Sequence, residues 1–328
     1  MKTHSKRRTT GLLAISASAA LVLAACNGNG VDDNGEEPAI DNGEVEDGDV
    51  DDDAADEGNG AAEADGPVVL GILPAWTDGL SMGYLWQEML QDQGYEVEIE
   101  EITEAGPLYT AVASGDYHVY PSAWPEVTHA EYMDTYGDDL EDLGAYYEGA
   151  VLTLAVPEYT EIDSLPELAE NADMFGGQVI GIEPGAGHMN VTENTVFPTY
   201  ELDENGFELV PSSTAGMLAE LSSAIDSEED VVVTLWRPFW ANAEFPVKDL
   251  EDPEQALGEP ETLNFIANSE FSSDFPEVAG WMSDFPVLDD DQYGELEDLV
   301  VNEYEDDPAA GARAWMENNP DIIDSLFN

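Results

Sequence analysis

Val68-Val69-Leu70-Gly71-Ile72-Leu73, running into Pro74-Ala75-Trp76-Thr77-Asp78-Gly79, sets the fold class of this chain. Six residues without a polar side chain, stopped by Pro, predict a strand buried on both faces. Past the turn, Met82, Leu85, Trp86, Met89 and Leu90 recur at helical spacing, and Gly94 ends the helix. Tyr95, Val97 and Ile99 then alternate as a second strand. Strand, loop, helix, strand is the repeating unit of an α/β fold.

The same alternation continues towards the C-terminus. The pattern predicts helices near 107–114 and 129–136, with a strand near 118–121 between them. A further apolar strand is expected at 150–156. Ser164-x-x-Glu167 has the spacing of a capping box. A strand at 178–182, a helical stretch at 190–200, a helix marked by Met217, Leu218, Leu221 and Ile225, and a strand at 231–235 follow. From about residue 275 the reading is mostly helical, with Val278, Trp281, Met282 and Phe285 on one face. Alternating elements predict largely parallel sheets. The folded part exceeds one comfortable core, so two lobes are expected. The first is expected at about 67–155 plus 245–328, and the second at about 156–244. Ligands of such folds bind beyond the carboxyl ends of strands, often between lobes. The loops around Trp76, Trp124, 185–188 and Trp236 all follow expected strands, so they are expected to meet.

Upstream of residue 67 the composition is different. Lys2, Lys6, Arg7 and Arg8 form a basic start, residues 11–25 are apolar and small, and Leu23-Ala24-Ala25-Cys26 has the form of a lipobox. Residues 1–26 are therefore expected to be a lipoprotein signal peptide, with Cys26 acylated as an anchor on the outer side of the cell membrane. Cys26 is the only cysteine of the 328 residues, which excludes an intrachain disulfide. Residues 27–66 are acidic, contain no aromatic residue, and are expected to be a disordered tether.

Seven Lys and Arg stand against 74 Asp and Glu, a formal net charge of −67. Beyond Cys26 only Arg237, Lys248 and Arg313 remain as bases. No basic footprint exists for nucleic acid, which excludes that class of partner. Self-repulsion on this scale needs the screening of concentrated salt, because the Debye length falls to roughly 3 Å near 1 M. An extracellular protein of a halophile is the expectation.

No Gly-x-Ser-x-Gly elbow, P-loop or dinucleotide fingerprint occurs, and His118, His129 and His188 lack zinc-site spacing. No catalysis, metal or cofactor is expected. The tryptophans carry more information. Trp86, Trp281 and Trp315 lie within helical patterns and read as core, whereas Trp76, Trp124 and Trp236 fall at strand-to-loop junctions. Indole faces suit a methylated cation, which has no N–H for a carboxylate to bond. The turn Pro184-Gly185-Ala186-Gly187 opens towards a helix and offers backbone N–H groups to an anion. His129 offers a charge-assisted bond if protonated. A tight connection and a helix-start histidine remain the plainer alternatives for these two features.

Four stretches of the chain add a resemblance. They are Ala75-Trp76-Thr77-Asp78, Ser122-Ala123-Trp124-Pro125-Glu126-Val127-Thr128-His129, Gly181-Ile182-Glu183-Pro184-Gly185-Ala186-Gly187-His188-Met189 and Val233-Thr234-Leu235-Trp236-Arg237-Pro238-Phe239-Trp240. Together with Leu250-Glu251-Asp252-Pro253, they resemble the substrate-binding proteins of glycine betaine ABC transporters, the OpuAC/ProX-like family. That resemblance implies an α/β, two-lobed periplasmic-binding-protein-like (type II) fold with a ligand cleft between lobes. It implies that Trp76, Trp124 and Trp236 enclose a trimethylammonium group. It also implies that the amides of Gly187 and His188 and the side chain of His129 hold a carboxylate. The implied partners are a small osmolyte, glycine betaine or a relative, and the permease of an ABC importer. Proline betaine, choline, carnitine or ectoine are the alternative ligands, and a sensor module of the same fold is the alternative role. In two places the chain departs from the family pattern: Pro125 directly follows Trp124, and Phe239 stands where relatives often have His.

Overall fold

The computed structural model describes residues 66–327. Cys26, the signal segment and nearly all of the acidic tether therefore lie outside the described residues. Nine strands are present there: β1 (Val68–Ile72), β2 (Val97–Glu101), β3 (Val119–Ala123), β4 (Leu140–Pro157), β5 (Gln178–Ile180), β6 (Glu208–Val210), β7 (Val233–Arg237), β8 (Val247–Asp249) and β9 (Glu261–Asn268). Their order is β2-β1-β3-β9-β4-β7-β5-β6, with β8 paired to β4 off this path.

The opening unit folds as its pattern requires. Val68, Leu70 and Ile72 are fully buried in β1, while β2 at the sheet edge buries Val97 and turns Glu98, Glu100 and Glu101 outward. The crossover helix α1 (Thr77–Asp92) sets Met82, Leu85, Trp86, Met89 and Leu90 against the sheet, each fully buried. A second helix, α2 (Ala105–Ser114), ends on Gly115 at φ +78°, a conformation that glycine takes without strain. It returns the chain to β3, which pairs with β1 in parallel.

The sheets are mixed, which corrects the expectation of largely parallel ones. Pairs β1–β2, β1–β3, β5–β6 and β5–β7 are parallel, and pairs β3–β9, β4–β7, β4–β8 and β4–β9 are antiparallel. The difference comes from β4 and β9. β4 is 18 residues long rather than the short apolar run the sequence marked. Its first half pairs with β9 and its second half with β7 and β8, so one strand joins the two halves of the sheet. Register shifts near Ala145 and before Ala150, with Gly149 at φ +90° beside the last, bend β4 where it passes between the halves. The chain returns between β8 and β9. β8, just past residue 245, pairs with the second half of β4.

The C-terminal helices pack on the first half. Trp86 and Trp315 are fully buried, as their spacing predicts, whereas Trp281 is half-buried between Tyr95 and Phe327. No helix among the described residues is long and apolar enough to cross a membrane.

Candidate ligand-binding site

Three strand ends deliver the three indoles. Trp76 is the N-cap residue of α1 after β1, and Trp124 directly follows β3. Trp236 is the penultimate residue of β7, one step earlier than a strand-to-loop junction, because the strand runs two residues past its expected end. All three are nearly enclosed, at 8%, 4% and 5% exposure. They line a single cavity with His129, Gly187 and His188. Asp78, Thr128, Leu152, Ile182 and Ala186 complete the wall around about 350 Å³ of space, the open mouth included. All six residues named from the sequence for the cavity are thus brought together.

Each indole is fixed by a different neighbour. Trp76 stacks on the His129 ring at 5.8 Å and 21°, and Trp236 stacks on Phe239 at 4.2 Å and 18°. Trp124 donates its Nε1–H to Asp78 Oδ2 at 2.9 Å. No two of the three stack on each other among the described residues, so their faces are not spent on one another. Asp78 is the chemically important lining residue that the sequence left unassigned. Its Oδ2 also accepts from Ser122 Oγ at 2.6 Å. Burial pushes its carboxyl up, and the bonds from Ser122 and Trp124 pull it back. Its sequence signal was its place two residues after Trp76, within the first of the four stretches that carry the family resemblance.

His129 has a defined tautomer. Its Nδ1 accepts the backbone N–H of Trp124 at 3.1 Å, while its own backbone N–H donates to the Trp124 carbonyl at 2.8 Å. The proton of the neutral ring therefore sits on Nε2, which makes no hydrogen bond among the described residues. Burial pushes the imidazole down to about 3. His129 therefore offers a neutral Nε2–H donor in place of the protonated ring considered from the sequence. His188 is different again. Its Nε2–H faces the carbonyls of Thr153 (3.0 Å) and Leu235 (2.9 Å), and Nδ1 faces the Thr192 hydroxyl at 3.1 Å. The ring ties its helix to β4 and β7, leaving only the backbone amide of His188 for the cavity.

That amide belongs to a helical run from residue 187 to 199 that begins as α-helix at Gly187–Val191. The first amides of a helix have no partner within it, and those of Gly187 and His188 are in this position behind Ala186. Only glycine fits at the first of them: a Cβ on Gly187 would lie 1.8 Å from the Thr128 carbonyl oxygen. The donor end of this helix is therefore pressed against the loop that carries His129.

The loop itself is held from β9. Glu261 accepts the backbone N–H groups of Val127 (2.8 Å) and Thr128 (3.0 Å) and the Thr128 hydroxyl. Glu126 accepts from Thr262 Oγ1 at 2.7 Å. At the mouth, two bonds cross from the helix α3 (Ala130–Tyr136) to the facing turn. Tyr132 donates to the Gly185 carbonyl at 3.0 Å, and Asn190 Nδ2 donates to Glu131 at 2.9 Å.

Comparison with known proteins gives a consistent picture. A family described as the substrate binding domain of ABC-type glycine betaine transport systems matches residues 66–318. The glycine betaine/carnitine transport binding protein GbuC of Listeria monocytogenes is 35% identical over 149 residues, 44% of this chain and 47% of that protein. The match thus spans about half the length of that relative. Among solved structures, the glycine betaine, L-proline ABC transporter binding protein ProX from Borrelia burgdorferi superposes with a TM-score of 0.73 at 28% identity, covering 80% of this chain and all of that one. Lactococcal OpuAC, closed on glycine betaine, gives 0.72 at 26% with the same coverage. An ABC-transporter choline binding protein holding choline gives 0.70 at 25%, covering 80% of this chain and 91% of that one.

Proposed function

This chain belongs to the family of substrate-binding domains of ABC-type glycine betaine transport systems, and on that premise we propose that it captures glycine betaine outside the cell and delivers it to an ABC permease. The observation that carries this reading is the convergence of Trp76, Trp124 and Trp236 on one cavity whose other walls supply uncharged hydrogen-bond donors. In the bound state the indoles surround the trimethylammonium group, each face contributing about 0.5–2 kcal/mol of cation–π attraction. The carboxylate takes the amides of Gly187 and His188 and the Nε2–H of His129. Asp78 adds negative charge beside the indoles without gripping the cation, since its Oδ2 is engaged by Ser122 and Trp124. The site is thereby dipolar and suits a zwitterion.

Closure follows from where the groups sit. Trp76, Trp124 and His129 come from the first lobe, and Trp236, Gly187 and His188 from the second. A ligand that touches both favours the closed state, because only differential affinity shifts such an equilibrium. We place the lobe boundaries at the bend in β4 and in the return between β8 and β9. The lipobox at Cys26 would anchor the receptor to the membrane surface, with residues 27–66 as tether. Choline is the rival ligand, favoured by the resemblance to the choline-bound structure. A calorimetric comparison at high salt separates the two. Glycine betaine binding at least about tenfold more tightly than choline, the ~1.4 kcal/mol expected when the carboxylate donors are used, supports the assignment. Equal affinity refutes it.

A further inference from the structure

Behind the indoles lies a carboxyl group that the binding scheme leaves unused. Glu297 ends the helix Asp290–Glu297 and is only 4% exposed. It accepts the hydroxyl of Thr77 and lines one cavity with Phe239 and Trp240. Thr77 is the residue after Trp76. Trp240 lies four residues past Trp236, and its ring packs on Phe239, which in turn stacks on Trp236. One side chain therefore stands behind two cage walls that come from different parts of the sheet.

We propose that Glu297 is a positioning residue for the ligand cage, holding the walls of Trp76 and Trp236 at their binding separation through its bond to Thr77 and its place against Phe239 and Trp240. This rests on the betaine-receptor reading and extends it to a residue that touches no ligand.

The described Lys and Arg side chains pair elsewhere: Arg237 with Asp249, Lys248 with Asp163, and Arg313 with Glu88 and Asp307. A buried carboxylate without a cation is costly, and this one also faces Asp78 on α1, Asp298 beyond its own helix, and the phenols of Tyr293 and Tyr146. Burial first, then Asp78, push Glu297 up to about 8 against the pull of its bond from Thr77. The bond with Thr77 is available to either form, since a hydroxyl both donates and accepts. As a carboxylate it repels Asp78 across the cage floor. The assembled cage thus prefers the protonated form, so its integrity is full at low pH and is lost as pH rises through about 8. His118, His129 and His188 are all shifted down by burial and stay neutral through this window.

The test is calorimetric titration with glycine betaine from pH 6.5 to 9.5 at fixed high salt, on the wild type, Glu297→Gln and Glu297→Ala. The wild type should weaken as pH rises towards about 8, by up to about tenfold for each pH unit, and level off above it, as linkage to one proton requires. Gln keeps a bond to Thr77 and has no titrating group, so Glu297→Gln should bind at pH 6.5 and keep a flat profile. Glu297→Ala should bind at least about tenfold more weakly at every pH, with an unchanged circular dichroism spectrum. A flat wild-type profile overturns the proposal, as does a wild-type slope retained in Glu297→Gln. Absence of betaine binding by the wild type at every pH overturns the receptor reading, and this inference with it.

Discussion

Gly187 carries the tightest constraint among the residues of the site. Adding one carbon drives it into the Thr128 backbone at 1.8 Å, and a carbonyl cannot move aside as a side-chain tip does. Gly187→Ala should therefore part the amide donors from the His129 loop. Betaine affinity should fall at least about tenfold with little change in melting temperature, read by calorimetry and thermal scanning. His129 makes a separate prediction. The fold holds it neutral, so its contribution to stability is whole above pH 6.5 and declines as pH falls towards 3. Imidazole nitrogen chemical shifts at pH 5 should show a neutral ring protonated on Nε2, and a charged ring would contradict the assignment. The six lining residues were legible in the sequence because Trp76, Trp124 and Trp236 lie at strand ends and because the family resemblance implied His129, Gly187 and His188. The states of the two histidines were not, because those depend on Thr153, Leu235 and the Trp124 amide, which reach them only in the folded chain.

At the level of elements, the first β-α-β unit could be read directly, since its strand and helix periods are clean. β9 could not. Glu261 and Asn264 interrupt its apolar run, and both are buried because they serve the loop 124–129 and Asp142 rather than water. Missing β9 turned a mixed sheet into an expected parallel one. It also hid the support of the binding loop. Glu261→Ala would strand the amides of Val127 and Thr128, and hydrogen bonds to charged groups are worth about 1.5–3 kcal/mol each. Chemical denaturation should show a loss of roughly 3 kcal/mol or more, together with weaker betaine binding. The mouth contacts make a milder claim. Tyr132→Phe and Asn190→Ala remove the bonds to Gly185 and Glu131 without touching the cavity wall. Each should raise the betaine dissociation rate a few-fold, for about 0.5–1.5 kcal/mol per bond lost, with the association rate nearly unchanged.

For the whole molecule the governing quantity is charge. A formal −67 spread over the chain opposes compaction, and the described cations are already paired with carboxylates at 2.5–2.7 Å. Between about 0.1 M and 1 M salt the screening length shortens from roughly 10 Å to 3 Å. The melting temperature should climb steeply over that range, and a flat response would contradict a salt-dependent fold. The charge belongs to the surface and says nothing of the ligand, which is why the indoles had to carry that argument. Calorimetric titration of glycine betaine into the wild type and Trp236→Ala, at high salt and neutral pH, addresses them most directly. A single-site isotherm in the wild type that weakens by at least about thirtyfold in the variant, roughly 2 kcal/mol of lost cation–π contact, is the predicted result. Indistinguishable isotherms would mean that the ring on β7 does not enclose the ligand.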